Sequence, residues 1–419
     1  MAKLSPEESA RLHPSTLALS LGFDPFLSEG AVKPPVFLTS TFAFRHAADG
    51  KKFFAWAHGE NTPDDKHEMG LIYSRINNPN LEIFEDRVAL WEGMKGAVSF
   101  ASGMAAITTT LLATHVPGDE IISTAPVYGG TDAFMRNFLA RFGVKVHFIP
   151  AGVEAPALAE KLITSKTRSL YIETPANPNN SLTDIAAMRE LADRQLGGGR
   201  RLLVMVDNTM AGPVFTQPAK FGADIVLYSA TKFIGGHSDI VGGVAVADDP
   251  ALLADITHLR AGLGGMPNPF TAWLLTRSLE TLKIRAEASA DNAVQVADFL
   301  STHPKVRLVR FLGLLKPDEP EYDIYRRQHT GPGSLISVYL GGDEARAFKF
   351  LDHLKVFRLA VSLGSTESLA QHPAAMTHSG LSPEAKAMGG VTDDLVRLSI
   401  GIEHADDLIW DLKQALEQI

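Results

Sequence analysis

Cysteine is absent from the 419-residue sequence. This absence excludes disulfides, thiolate nucleophiles and zinc or iron–sulfur sites that are held by cysteine. Long apolar runs are also absent, since no segment approaches the length of about 20 residues that spans a bilayer, and the charged start of the chain has no apolar signal core. We therefore expect a cytoplasmic protein with no membrane partner.

Three other features are missing from the sequence. Basic residues form no block and the net charge is −9, so nucleic acid is not an expected partner. No Gly-x-Gly-x-x-Gly follows the first predicted strand, which argues against a dinucleotide-binding fold. The polar segment that contains His58, His67 and Glu68 has no His-Glu-x-x-His spacing, so no metal site is expected.

What the sequence does contain is a regular alternation of short apolar runs and helical stretches. Apolar residues make up 45% of the chain, enough for a large core. After a helical stretch over 81–91, strands are predicted at 97–100, 120–123, 145–149, 169–173, 202–207 and 224–229. This alternation predicts an α/β fold with a mostly parallel central sheet flanked by helices.

Three regions are predicted along the chain. Residues 1–70 have little periodicity and several prolines, which indicates an N-terminal arm with an inserted loop over Lys51 to Gly70. Residues 71–270 form the large domain, and residues 271–419 form a smaller α+β C-terminal domain. The elements predicted for the C-terminal domain are a long helix over 271–302 and strands at 335–340 and 395–400.

Two charged residues lie just beyond neighbouring predicted strands, where ligands bind in open α/β sheets. Asp207 ends one strand, and Lys232 follows the next. Chemistry with pyridoxal phosphate (PLP) needs a lysine amine that forms a Schiff base with the cofactor and a carboxylate that keeps its ring nitrogen protonated. Lys232 and Asp207 are therefore predicted to fill these two catalytic roles.

A phosphate-binding turn is predicted at the start of a helix. Ser102, Gly103 and Met104 follow a strand and open the helix, where backbone N–H groups and the helix dipole favour an anion. Ser229 and Thr231 flank the lysine, and their hydroxyls are predicted to donate to the same phosphate. These five residues form the predicted phosphate cradle.

Each candidate residue has a plainer explanation when it is taken alone. A lysine in a short Ser-x-Thr-Lys pattern usually lies on a surface loop, and Asp207 at a strand end is equally suited to cap a helix. Tyr128 follows another strand and is predicted to stack on the cofactor ring, although an isolated tyrosine more often serves packing. Arg397 taken alone is most simply a salt-bridge partner. Their occurrence together, in order along the chain, favours the cofactor site.

Several short segments carry a family resemblance. They are Tyr73 to Pro79, Ala101 to Met104, Tyr128 to Thr131, Glu173 to Pro178, Val206 to Thr209, Ser229 to Lys232, Ala370 to Ser379 and Val396 to Ser399. In this order they resemble the cystathionine γ-synthase, cystathionine γ-lyase and methionine γ-lyase family of fold type I PLP enzymes. The resemblance extends from about residue 30 to the end of the chain.

The resemblance implies roles for further residues. It implies that Tyr73 and Arg75 reach the cofactor phosphate of a neighbouring subunit, within a homotetramer made of two such dimers. It implies that Asn177 hydrogen-bonds the phenolic oxygen of the cofactor. Ser362 and Arg397 would hold the substrate carboxylate, a task that suits a guanidinium group because it binds carboxylates with two parallel hydrogen bonds.

The reaction that the resemblance implies is carbon–sulfur bond cleavage by γ-elimination on a sulfur-containing amino acid, as part of trans-sulfuration. Lys232 would move the Cα proton, and Tyr128 would exchange protons with the amine or the leaving group. The alternative is γ-replacement, as in a cystathionine γ-synthase or an O-acylhomoserine sulfhydrylase. A more remote hypothesis is a non-catalytic PLP-binding protein, which the intact Lys232, Asp207, Arg397 and Tyr128 argue against.

Departures from the family pattern bear on the substrate. Val361 stands where cystathionine-cleaving relatives have an acidic residue, and Asp132 to Phe134 stand where they have an arginine. Groups for the distal end of cystathionine are therefore missing, and a smaller substrate is expected. Leu369 to Ser379 is most like methionine γ-lyases, but Gly130 replaces their active-site cysteine. The Lys51 to Gly70 insertion is a candidate for lining the pocket.

Overall fold

The computed structural model describes residues 11–60, 70–194 and 201–419. The strands of its larger sheet are β1 (Gly96–Phe100), β2 (Glu120–Ala125), β3 (Lys145–Pro150), β4 (Thr167–Glu173), β5 (Leu203–Asp207), β6 (Ile225–Tyr228) and β7 (Gly243–Ala247). Their order across the sheet is β1-β7-β6-β5-β4-β2-β3. Strands β2 to β6 pair in parallel, whereas β7 is antiparallel to both of its neighbours. The predicted α/β fold with a mostly parallel sheet is confirmed.

Helices cover both faces of this sheet. In the first two regions of the chain they are α1 (Pro14–Leu17), α2 (Ala47–Ala57), α3 (Pro79–Glu92), α4 (Gly103–Thr114), α5 (Gly129–Asn137), α6 (Ala155–Glu160), α7 (Ile185–Arg194), α8 (Gly212–Phe215), α9 (Pro250–Leu263) and α10 (Pro269–Leu279). Successive strand side chains point to opposite faces. On β4, Leu170 and Ile172 therefore pack in one core, while Tyr171 packs in the other. Because both faces of the sheet are packed, the parallel strands are held with their carboxyl ends at one edge of it.

The C-terminal domain is built on a second, five-stranded sheet. Its elements are α11 (Leu282–Ser301), β8 (Leu308–Arg310), α12 (Tyr322–Gln328), β9 (Leu335–Tyr339), α13 (Glu344–Asp352), β10 (Arg358–Leu359), β11 (Leu369–Gln371), α14 (Pro383–Met388), β12 (Leu395–Ser399) and α15 (Ala405–Glu417). The strand order is β10-β11-β12-β9-β8. On the middle strand, Arg397 pairs with Gln371 on one side and with Ser337 on the other.

Two expectations about the secondary-structure elements differ from the structure. Strand β7 was not predicted, because its glycine and alanines give a weak apolar signal. The helix predicted over 271–302 is two helices: α10 packs on α3 of the large domain, whereas α11 packs on α15, and this change of partner requires a break at Glu280 and Thr281. No helix within the described ranges is long and apolar enough to cross a bilayer.

The expected inserted loop over Lys51 to Gly70 is wrong for its first part. Residues up to Ala57 belong to helix α2, because Phe53 stacks on the buried Trp56 with ring centroids 5.6 Å apart and gives the helix an apolar face. Residues 61–69, which include His67 and Glu68, lie outside the described residues. The expectation that this insertion lines the pocket stays a prediction.

Candidate active site

Lys232 follows β6 and points its amine at the C-terminal domain. Its Nζ donates a hydrogen bond to Ser362 Oγ at 2.9 Å. Burial, together with the nearby charge of Arg397, lowers the pKa of Lys232 to about 8. A larger share of this amine is therefore neutral near neutral pH than of an ordinary lysine, and only the neutral amine acts as a nucleophile or a base.

Asp207 ends β5, the neighbour of β6, and is buried. Its Oδ1 accepts from the backbone N–H of Thr209 at 3.1 Å, and burial raises its pKa. The hydroxyl of Thr209 in turn accepts from the backbone N–H of Ser229 at 2.8 Å. This contact joins the turn after Asp207 to the turn that carries Lys232, so the structure brings the two predicted catalytic residues to adjacent turns at one sheet edge.

Residues of the predicted phosphate cradle meet where α4 begins. Ser102 caps the helix, and its Oγ accepts from the N–H of Ala105 at 3.0 Å. A Cβ at Gly103 would lie 2.7 Å from Cβ of Ser229, so only glycine allows the serine to come this close to the helix start. The first N–H groups of a helix have no intrahelical acceptor. Those of Gly103 and Met104 are thus suited to an anion beside the Ser229 hydroxyl.

Thr231 makes different contacts from Ser229. Its hydroxyl accepts from the N–H of Gly242 at 3.1 Å and donates to the carbonyl of the same residue at 3.2 Å. The predicted hydrogen bond from Thr231 to a phosphate therefore requires the hydroxyl proton to turn away from this carbonyl, and it stays a prediction.

Tyr128 lies at the start of α5 with 41% of its surface exposed. Its ring leans over Gly130, where an added Cβ would lie 2.7 Å from Tyr128 Cε1 and 3.0 Å from Met104 Sδ. The absence of a side chain at Gly130 therefore lets the tyrosine ring approach the start of α4. The ring lies beside the phosphate cradle, as stacking on a bound cofactor would require.

Arg397 reaches from β12 to the large domain. Its Nη1 donates to Oδ1 of Asn177 at 2.8 Å, and its Nη2 donates to the carbonyl of Ser362. Burial lowers the pKa of this guanidinium to about 10. Ser362 has φ of 94°, a left-handed conformation that is strained for a residue with a side chain. That conformation gives the serine two roles, with Oγ toward Lys232 and its carbonyl toward Arg397.

These residues fit pyridoxal phosphate. A helix start closed by glycine offers N–H groups to a phosphate, the buried Asp207 suits a cationic ring nitrogen, and Lys232 has a lowered pKa. The amide nitrogen of Asn177 is suited to donate to a phenolic oxygen, because Oδ1 is the atom that meets Arg397. The arrangement can hold such a cofactor between Tyr128 and the sheet edge.

Tyr73 and Arg75 lie apart from this cluster. Tyr73 is 40% exposed, and the guanidinium of Arg75 lies 5.9 Å from the centroid of its ring. Arg75 Nη1 donates to the carbonyl of Ala261 at 2.6 Å. These contacts hold both side chains at the surface beside α9, so the structure of one chain does not bring them into its own site.

Three residues at the site were not singled out from the sequence. Glu173 is buried at the end of β4, Gln371 lies opposite Arg397, and His378 is buried with its Nδ1 2.9 Å from Oγ1 of Thr377. Turned with its amide oxygen toward the guanidinium, Gln371 accepts from both terminal nitrogens of Arg397 at 3.1 Å. Burial, with the charge of Arg397, lowers the pKa of His378 to about 4. All three lie in segments that carry the family resemblance, Glu173 in Glu173 to Pro178 and the other two in Ala370 to Ser379, but their contacts at the site depend on tertiary packing.

Comparisons with known proteins show a family match and several similar proteins. The sequence model of the Cys/Met metabolism PLP-dependent enzyme family matches residues 15–417. L-methionine γ-lyase of Pseudomonas putida is 41% identical over 96% of this chain and 97% of its own. Cystathionine γ-synthase of Mycobacterium bovis is 40% identical over 96% of each chain. The structure of cystathionine γ-lyase from Lactobacillus plantarum complexed with L-serine has a TM-score of 0.86 and 34% identity, covering 97% of this chain and 99% of its own.

Proposed function

The chain belongs to the Cys/Met metabolism PLP-dependent enzyme family, and we propose that within this family it is a carbon–sulfur lyase that acts by γ-elimination on a small sulfur-containing amino acid. Pyridoxal phosphate is the cofactor, and when bound it withdraws electrons from the substrate Cα through its ring. The residues of the chain supply the binding, the orientation and the proton transfers, as follows.

Lys232 is the proposed covalent anchor and the base at Cα. Its lowered pKa supports both roles, because each of them needs a neutral amine. The hydrogen bond to Ser362 orients the amine. Asp207 is proposed to keep the ring nitrogen protonated, and the contact between Thr209 and Ser229 supports its placement beside the lysine turn.

Arg397 and Ser362 are proposed to bind the substrate carboxylate. The guanidinium is held by Asn177 and by the Ser362 carbonyl, so its orientation is fixed before a substrate arrives. Tyr128 is proposed to exchange protons with the substrate amine or with the departing sulfur. Its partial exposure at the edge of the cluster supports this role, because the hydroxyl has room to approach both groups.

The observation that carries the substrate assignment is the apolar surface next to Ser362. Val361 is 53% exposed, in the position where cystathionine-cleaving relatives carry an acid. Asp132 begins the segment that stands where those relatives have an arginine. It is buried and accepts a hydrogen bond from Arg136 Nε at 2.7 Å. The guanidinium of Arg136 lies 3.8 Å from the centroid of the Phe148 ring, so it is already engaged. These contacts favour methionine or homocysteine over a substrate with a second amino acid end.

The alternative reaction, γ-replacement, has support from the comparisons, since a methionine γ-lyase and a cystathionine γ-synthase are nearly equally similar to this chain. Both reactions use the same anchoring lysine and the same site for the substrate carboxylate. They differ in whether an incoming thiol adds to the substrate after its leaving group has departed. One experiment separates them. Release of 2-oxo acid and ammonia, and formation of a new thioether amino acid, are both measured with methionine, homocysteine, cystathionine and O-acetylhomoserine, each with and without an added thiol.

The lyase assignment predicts 2-oxo acid from methionine or homocysteine without a thiol. A thioether amino acid and acetate that form only from the O-acyl ester and only with added thiol, without 2-oxo acid, would contradict it and establish replacement. No product from any of the four amino acids would contradict both assignments.

We also propose that the site is shared between subunits of a homotetramer made of two dimers. The surface position of Tyr73 and Arg75 supports this arrangement, as does an exposed apolar arm. In that arm Phe26, Leu27 and Val32 are largely exposed, which is costly for a chain that stays alone in water.

A further inference from the structure

Glu173 ends β4, directly beside the catalytic strand end. It pairs with Asp207 in the register of β4 and β5, and its side chain is buried with 2% exposure. Burial and the charge of Asp207 raise the pKa of this carboxyl group, while hydrogen bonds from the N–H groups of Tyr128 and Asn177, and then the charge of Arg397, oppose that rise. A buried carboxyl group next to another acid is costly unless its oxygens are hydrogen-bonded.

Both oxygens of Glu173 accept from backbone groups of residues that face the cofactor site. Oε2 accepts from the N–H of Tyr128 at 2.7 Å, and Oε1 accepts from the N–H of Asn177 at 3.0 Å. Tyr128 lies on the turn after β2, whereas Asn177 lies on the turn after β4 itself. The carboxylate of Glu173 therefore joins the turn after β2 to the turn after β4.

The same series of hydrogen bonds reaches Arg397, on the substrate side of the site. Asn177 accepts from Arg397 at 2.8 Å, so the backbone that Glu173 holds also fixes the guanidinium. A shift of the turn after β4 moves Asn177 and Arg397 together, and a shift of the turn after β2 moves the ring of Tyr128. Glu173 is buried, and both of its oxygens are engaged by these backbone groups.

We propose that Glu173 is a positioning residue that sets the tilt of the bound cofactor and the place of the substrate carboxylate by holding the backbones of Tyr128 and Asn177. This inference deepens the proposed function and rests on it for its kinetic consequences. Its structural consequences depend only on the cofactor being bound.

The test substitutes Glu173→Gln in the holoenzyme. Glutamine keeps the volume but offers one accepting oxygen, so one of the two backbone N–H groups then faces an amide NH₂. Three quantities are measured: the visible circular dichroism of the bound cofactor, which reports its tilt; the apparent Kd for L-norleucine, which has the length of methionine and no leaving group; and the melting temperature.

The matched control is Asp411→Asn. Asp411 is also fully buried and accepts from backbone N–H groups, those of Lys355, Val356 and Phe357 at 2.8, 2.8 and 2.9 Å. Its helix, α15, packs in the C-terminal domain. This substitution costs the same kind of hydrogen bond without touching either turn of the site.

We expect Glu173→Gln to reduce the visible dichroism and to weaken norleucine binding by about tenfold, which is the loss expected for one hydrogen bond to a charged group. Asp411→Asn is expected to lower the melting temperature while it leaves both quantities within about twofold. If Glu173→Gln lowers the melting temperature but leaves dichroism and norleucine binding as in the control, Glu173 is merely structural and the inference is wrong.

If Glu173→Gln does not accumulate as holoenzyme, Glu173→Asp decides the question. Aspartate keeps both oxygens but is one methylene shorter, so neither hydrogen bond keeps its length. The same losses are expected for it, and unchanged dichroism and binding would overturn the inference. Because norleucine has no group to eliminate, the outcome is separate from the substrate panel. Wild type that releases no 2-oxo acid overturns the lyase assignment and leaves the positioning role of Glu173 intact.

Discussion

The amine of Lys232 and the hydroxyl of Ser362 meet at 2.9 Å across the boundary between the two domains. The serine takes a left-handed backbone conformation to make this contact. Strain of this kind persists only where the surrounding structure imposes it, and it often marks a functional position.

A comparison of Ser362→Ala with Ser362→Gly separates the effect of the Ser362 hydroxyl from the effect of its backbone strain. Both remove the hydrogen bond to Lys232, but glycine adopts φ of 94° without a steric cost. We expect the glycine variant to be more stable than the alanine variant by about 1 kcal/mol in urea unfolding at equal protein concentration. Both variants should bind norleucine more weakly than wild type. An alanine variant that is as stable as the glycine variant would show that the position is not strained.

Capture of the cofactor by apoenzyme should follow the pKa of Lys232. The pKa is lowered from 10.5 to about 8, so the neutral, reactive fraction grows as the pH rises through about 8 and is nearly complete well below the ordinary lysine pKa. The initial rate of absorbance change on adding PLP should therefore level off near pH 9, about one unit above that pKa. A rate that still climbs steeply beyond about pH 10 would contradict the lowered pKa.

Arg397→Met should shift this capture profile to higher pH. The charge of Arg397 is one of the two causes that lower the pKa of Lys232, and its loss raises that pKa. Burial is the larger cause, so the profile should remain below that of a free lysine. Norleucine binding should weaken by at least about a hundredfold, because Arg397 is the proposed partner of its carboxylate. Unchanged norleucine binding would remove Arg397 from the substrate site.

Hybrid dimers test whether Arg75 acts in a neighbouring site. Arg75→Ala and Lys232→Ala subunits are each expected to be nearly inactive alone. When they are co-expressed with different tags and purified through both, one site carries both defects and the other carries neither. The hybrid dimer should therefore show roughly half of the wild-type activity if the site is shared. An inactive hybrid would place Arg75 within its own site.

Val361→Glu should redirect the substrate preference. A carboxylate beside Ser362 attracts a distal ammonium group, so the ratio of kcat/KM for cystathionine to that for methionine should rise by about tenfold. Val361→Gln is the neutral control of the same size and should leave the ratio near that of wild type. A similar rise with glutamine would mean that polarity or size, and not charge, sets the preference.

The sequence is sufficient to predict six of the seven strands of the larger sheet and the edge at which Asp207 and Lys232 meet. Asp207 and Lys232 follow strongly apolar strands, and parallel strands place their carboxyl ends at one edge. Sequence patterns fail where tertiary packing decides. The break near Thr281 arises because α10 and α11 have different partners, and β7 is made of small residues whose burial depends on strands distant in sequence.

The positions of Gln371 and Glu173 depend on contacts between distant segments, so the sequence alone does not predict them. Gln371 lies opposite Arg397 only because β11 and β12 pair in one register. The role of Glu173 depends on two turns meeting behind the site. Neither arrangement leaves a local spacing that a single sequence displays.

The most direct test of the account is to locate the covalently bound cofactor. The holoenzyme is reduced with borohydride, digested, and the peptide that carries the pyridoxyl group is identified by mass spectrometry. We expect one modified residue, Lys232. A pyridoxyl group on another lysine, or none on any peptide of a protein that has taken up the cofactor, would contradict it.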